Sequence, residues 1–185
     1  MTADHTLVLE LLHASHAAAQ REAPVHRDDD PACQVVLRAA KADADDGGME
    51  RLTLLALGTA VCASDLTAVL AEHKNITTQQ LIDELVAARR NQGAEDTAMP
   101  DLLLAMRTDD PGQAAELLGN LIAGDHDAFL DLIVELGDYA ATCVSLLAAL
   151  EISPVEETLA QLEETVQQFI TSKRPPRTGT TGQRQ

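Results

Sequence analysis

Along residues 155–170 the apolar side chains Val155, Leu159, Leu162, Val166, Phe169 and Ile170 recur at steps of four, three, four, three and one. That is the period of an α-helix with one narrow apolar stripe, and Glu156, Glu157, Glu163, Glu164 and Gln167 fall elsewhere on its surface. About two and a half heptads make too short a seam for a self-standing coiled coil, so the stripe predicts an outer helix docked on its own bundle. Over His126–Leu150, at about 100° per residue, Phe129, Ile133, Leu136, Ala140, Cys143 and Leu147 share a face. Asp127, Asp131, Glu135 and Asp138 lie opposite, and no charge follows from Tyr139 to Leu150. The first half of this helix is therefore expected to be amphipathic and the second half enclosed. Met49–His73 reads similarly, uncharged from Leu52 to Ser64 before Asp65 and Glu72.

Helix starts are legible in cap chemistry. In Asp30-Pro31 and Asp110-Pro111 a carboxylate stands at the cap and proline at the first helical position, where its missing N–H costs nothing. Thr77-x-x-Gln80 and Ser153-x-x-Glu156 have capping-box spacing, with Ile76 and Ile152 placed to staple the entering chain. The predicted helices run Thr6–Arg21, Pro31–Ala44, Met49–His73, Thr78–Arg90, Pro100–Arg107, Pro111–Ala123, His126–Leu150 and Pro154–Ser172.

Three strings recur in the same order. RDDDPACQ (Arg27–Gln34) resembles RTDDPGQ (Arg107–Gln113), LALG (Leu55–Gly58) lies in register with VELG (Val134–Gly137), and Ile76–Gln80 matches Ile152–Glu156. The expected architecture is all-α: a bundle of about eight helices, built as two tandem four-helix repeats packed pseudo-symmetrically. Residues 1–92 form the first repeat, 93–97 a linker and 98–172 the second. Residues 173–185, KRPPRTGTTGQRQ, hold no large apolar side chain and are expected to be a disordered basic tail.

Composition narrows this further. Thirty Ala and twenty-seven Leu in 185 residues, with only two Phe and one Tyr, favour helices over strands. An apolar fraction of 45% supplies a core. No uncharged stretch reaches the roughly 20 residues of a bilayer span, and residues 1–20 lack a basic leader, so neither a membrane nor a secretory signal is expected. Cys33, Cys62 and Cys143 are odd in number and set among apolar residues, as reduced core cysteines of a cytoplasmic protein are.

The net charge of −17 argues against direct binding to nucleic acid, itself a polyanion. It is also uneven. Residues 97–172 hold fourteen Asp and Glu against one basic residue, Arg107. The feature that stands out is the ridge Asp127–Asp131–Glu135–Asp138, where four carboxylates repel one another at helical spacing. In the other copy Ala56 and Thr59 stand where Glu135 and Asp138 do. A charged face kept in one copy alone points to docking of a basic or amphipathic protein partner.

Other chemistry is thin. Glu10, His13 and His16 have the i, i+3, i+6 spacing of a helix-bundle metal site, the alternative ligand set. His13 and His16 nevertheless lie away from the stripe Leu7–Leu11–Ala14–Ala18, toward water. Phosphate-binding, metalloprotease and serine-hydrolase motifs are absent, so catalysis is not expected and no cofactor is implied. The reading is a non-catalytic interaction or regulatory module. Its rivals are a helix-bundle ligand or metal binder, including an enzyme, and an acidic nucleic-acid mimic. The mimic is strained by spacing: ridge carboxylates recur about every 6 Å, against one phosphate per roughly 3.4 Å along a DNA strand.

Overall fold

The computed structural model describes residues 4–21, 29–91, 97–108 and 111–173. Among them are eight helices and no strand: α1 (Asp4–Ala19), α2 (Pro31–Asp46), α3 (Glu50–His73), α4 (Thr78–Asn91), α5 (Ala98–Ala105), α6 (Pro111–Gly124), α7 (His126–Ala149) and α8 (Val155–Lys173). Every boundary lies within two residues of its predicted position. Asp110, most of the 93–97 linker and the tail beyond Lys173 lie outside the described residues.

The long rods α3 and α7 pack on each other more extensively than any other pair. Phe129, Ile133, Leu136, Ala140, Cys143 and Leu147 are all buried. One polar link crosses this interface. Thr67 Oγ1 donates to the Ala63 carbonyl at 2.6 Å and so has no second proton to give. The Tyr139 hydroxyl, 2.9 Å away, is therefore the donor to Thr67.

Around the rods, α2 packs on α1, α3 and α7, while α8 packs on α1, α3 and α7. On the other side α5 touches α3, α4, α6 and α7. Helix α1 crosses both rods, and two glycines let it come close. A Cβ on Gly58 would stand 2.7 Å from Val8 Cγ2, and one on Gly137 would stand 2.7 Å from Ser15 Oγ. These contacts select the buried face of α1 as Val8, Leu11, Leu12 and Ser15. The stripe expected from the sequence is Leu7–Leu11–Ala14–Ala18, of which Leu7, Ala14 and Ala18 are not fully buried. In an Ala-rich helix several stripes have similar hydrophobicity, and the glycines on the partner rods decide between them.

Two further expectations need correction. Lack of charge does not enclose the second half of α7 or its end: Leu146 in the helix and Leu150 just after it are exposed, 46% and 47%. The Ser153-x-x-Glu156 box also does not close: the Ser153 hydroxyl lies 3.0 Å from Thr158 Oγ1, whose proton also has the Pro154 carbonyl within 3.0 Å, and neither half of the reciprocal cap forms. The Thr77 box does close reciprocally, with Gln80 N–H donating to Thr77 Oγ1 at 3.1 Å and Thr77 N–H to Gln80 Oε1 at 2.9 Å. Asp30 caps α2 as expected, accepting the Ala32 N–H at 2.7 Å.

α3 and α7 are the two described helices long and apolar enough to cross a membrane by length and composition. Within their most apolar windows, 67% of α3 and 50% of α7 are buried against other helices, as core rods are. Both rods also end alike. After α3, Asn75 turns left-handed (φ 56°) and Ile76 N–H reaches back to the Ala71 carbonyl at 3.0 Å. After α7, Glu151 does the same (φ 58°) and Ile152 N–H reaches the Leu147 carbonyl at 2.9 Å. This six-to-one bond satisfies a carbonyl that the helix end would otherwise orphan.

Candidate functional site

The acidic face of α7 is built from its first turn upward. Asp125 caps the helix by accepting the Ala128 N–H at 3.0 Å. Asp127 sits in the first turn, where a negative charge is favoured by the helix dipole. Phe129, Leu132 and Ile133 bury the opposite side, so Asp127 and Asp131 are turned outward and both are exposed.

The other two ridge carboxylates behave differently. Glu135 is half-buried and paired with Arg89 near the end of α4, with side-chain exposures of 29% and 19%. That partner lies 46 positions away in sequence and carries no local signal in the α7 pattern. Asp138 keeps an exposed surface, yet its carboxyl is held above the usual range. Partial desolvation is the main cause, the Ser15 hydroxyl opposes it, and the charges of Asp30 and Glu135 add to it. The ridge is thus three outward carboxylates interrupted by one internal ion pair.

Asp127 and Asp131 also edge a trough between α2 and α7, whose floor and walls are Cys33, Val36, Leu37, Leu130 and Val134. The ridge pattern does not predict this apolar element. Its only sequence signal is the run of apolar residues on α2 beyond what a single buried stripe needs.

Helix α1 does not assemble the alternative ligand set. Glu10 Oε1 is bound by Arg38 Nη2 of α2 at 2.5 Å, and His13 is exposed. Among the described residues no group of three His, Cys, Asp or Glu is placed to hold a metal ion. Two of the thiols are equally unsuited to nucleophilic work: burial pushes Cys62 and Cys143 up to about 12, which leaves them protonated at neutral pH. No family model, curated protein or solved structure matches the chain.

Proposed function

We propose that this protein is a non-catalytic interaction or regulatory module that docks a basic or amphipathic protein segment on the acidic face of α7. The observation that carries this reading is the outward presentation of Asp127, Asp131 and Asp138 on one helix, in a segment, residues 97–172, with Arg107 as its single Lys or Arg. Such a field speeds encounter with a cationic partner and opposes self-association at low salt. Three free thiols, all buried, support a reducing, cytoplasmic setting.

A duplicated origin fits the same reading. The similar rod endings at Asn75 and Glu151 immediately precede one pair of recurring strings, and the two glycines that seat α1 close another. In the second copy the ridge is charged, while Ala56 and Thr59 at the matched positions of the first are fully buried. One copy supplies core and the other the docking face.

The test uses poly-lysine as probe and titration calorimetry as readout. The triple variant Asp127→Lys/Asp131→Lys/Asp138→Lys should lose binding at least tenfold with its helicity unchanged. Glu156→Lys/Glu157→Lys/Glu163→Lys on α8 changes net charge equally and should lose far less. Equal losses would mean that bulk charge alone is read, and the docking face would be abandoned.

A further inference from the structure

The trough between α2 and α7 has the form of a helix seat. Along α7 its lining falls at positions 127, 130, 131 and 134, and along α2 at positions 33, 36 and 37. On α7 these are the i, i+3, i+4 and i+7 steps of one continuous helix face, a strip about two turns or roughly 10 Å long, and on α2 the i, i+3 and i+4 steps add a strip of about one turn, roughly 6 Å. Leu37 is 47% exposed at its edge, and Leu130 and Val134 are half-buried in its wall. The volume is about 350 Å³, at the low end of the roughly 300–1,000 Å³ typical of small-molecule pockets.

The α7 side of this apolar strip is acidic. Asp127 and Asp131, one turn apart, edge it. A small apolar ligand would gain nothing from that charge, whereas an amphipathic helix with cations along one flank would. A second copy of this chain is a poor occupant, because two bodies of −17 repel each other.

Resting on the docking function above, we propose that the α2–α7 groove seats an amphipathic helix of a partner protein. Its apolar side chains at i and i+4 enter between Leu37 and Val134, and its Lys or Arg side chains line the flank facing Asp127 and Asp131. Apolar contact supplies affinity in this mode, and the charged edge fixes orientation.

Two synthetic fourteen-residue peptides of identical Leu and Lys content test this, one ordered to form an amphipathic helix and one scrambled. On the wild-type chain the amphipathic peptide should bind at least tenfold tighter by calorimetry. Leu37→Asp should erase that preference, and Leu146→Asp, equally exposed at the far end of α7, should keep it. Circular dichroism confirms that both variants fold. If both peptides bind equally and Asp127→Lys/Asp131→Lys weakens both, the groove is refuted while the acidic docking face stands. Erasure of the preference by Leu146→Asp would place the helix elsewhere and overturn the groove. If neither peptide binds, both readings fall.

Discussion

The Oδ2 oxygen of Asp43, near the end of α2, accepts the backbone N–H of Leu52 in the first turn of α3 at 2.9 Å. Its other oxygen accepts the Arg51 N–H at 3.1 Å. Asp43 thereby serves as a cap supplied from the preceding helix. The residue standing at the α3 cap position, Met49, makes no side-chain cap hydrogen bond. Asp43 is buried, so removing its carboxylate leaves the enclosed Leu52 amide and the half-buried Arg51 amide without that acceptor. Asp43→Leu should cost about 2–4 kcal/mol, from lost capping together with unpaired amides. Asp43→Asn, which retains one acceptor oxygen, should cost less. Thermal unfolding and amide exchange at Leu52 measure both, and an unchanged melting temperature in Asp43→Leu would dismiss the cap.

The two glycines under α1 make opposite predictions to a third glycine on the surface. In a helix interior, Gly→Ala ordinarily gains about 1 kcal/mol. Gly119 on α6 has nothing within 4 Å of the place a Cβ would take, so Gly119→Ala should show that gain. At Gly137 the added methyl would lie 2.7 Å from Ser15 Oγ and 3.3 Å from Leu11 Cγ. Overpacking of this kind costs typically about 1–3 kcal/mol, so Gly137→Ala should lower stability. Ser15→Ala should restore part of the loss, and the double-mutant cycle isolates the clash. Stabilisation by Gly137→Ala would mean that α1 does not approach α7 so closely.

Helix positions were legible because their causes are local. Asp30 before Pro31, Thr77 three residues before Gln80, and the long uncharged runs each act within a turn or two of chain. The sides those helices bury were less legible. Leu7, Leu11, Ala14 and Ala18 make as plausible a stripe as Val8, Leu11, Leu12 and Ser15, and only Gly58 and Gly137 on distant helices decide between them. Glu135 looks like its ridge neighbours in sequence and is separated from them by Arg89, brought in by α4. At Leu146 and Leu150 the pattern misleads for another reason. A charge marks exposure, but its absence does not mark burial, since apolar atoms contribute much of any protein surface.

The rod endings predict an unequal response to glycine. Glu151 holds φ at 58°, a left-handed conformation in which Cβ crowds the backbone carbonyl. Glu151→Gly removes that crowding and should stabilise by about 1 kcal/mol. Asn75, at φ 56°, tolerates the left-handed region better, so Asn75→Gly should gain less. Chemical denaturation resolves the pair. A loss of stability in Glu151→Gly would show that the Glu side chain makes a contact stronger than the strain.

Asp138 gives the chain a pH signature of definite sign. Its carboxyl is raised above the ordinary aspartate value of about 3.9, first by desolvation and then by the Asp30 and Glu135 charges, against the Ser15 hydroxyl. The folded state therefore binds this proton more tightly than the unfolded chain does. By linkage, the ionised Asp138 opposes folding at neutral pH, and that penalty is relieved as pH falls through its folded value toward the unfolded one. Asp138→Asn should accordingly melt higher than wild type at pH 7, with the difference shrinking on acidification and gone below about pH 4. The same substitution at Asp127, exposed at the favourable end of the α7 dipole, should do the reverse at pH 7 by removing a stabilising charge. Melting curves of the two variants between about pH 3.5 and pH 7, compared at equal ionic strength, decide the matter. A constant offset across that range for Asp138→Asn would show that the amide acts by packing, with no contribution from the proton.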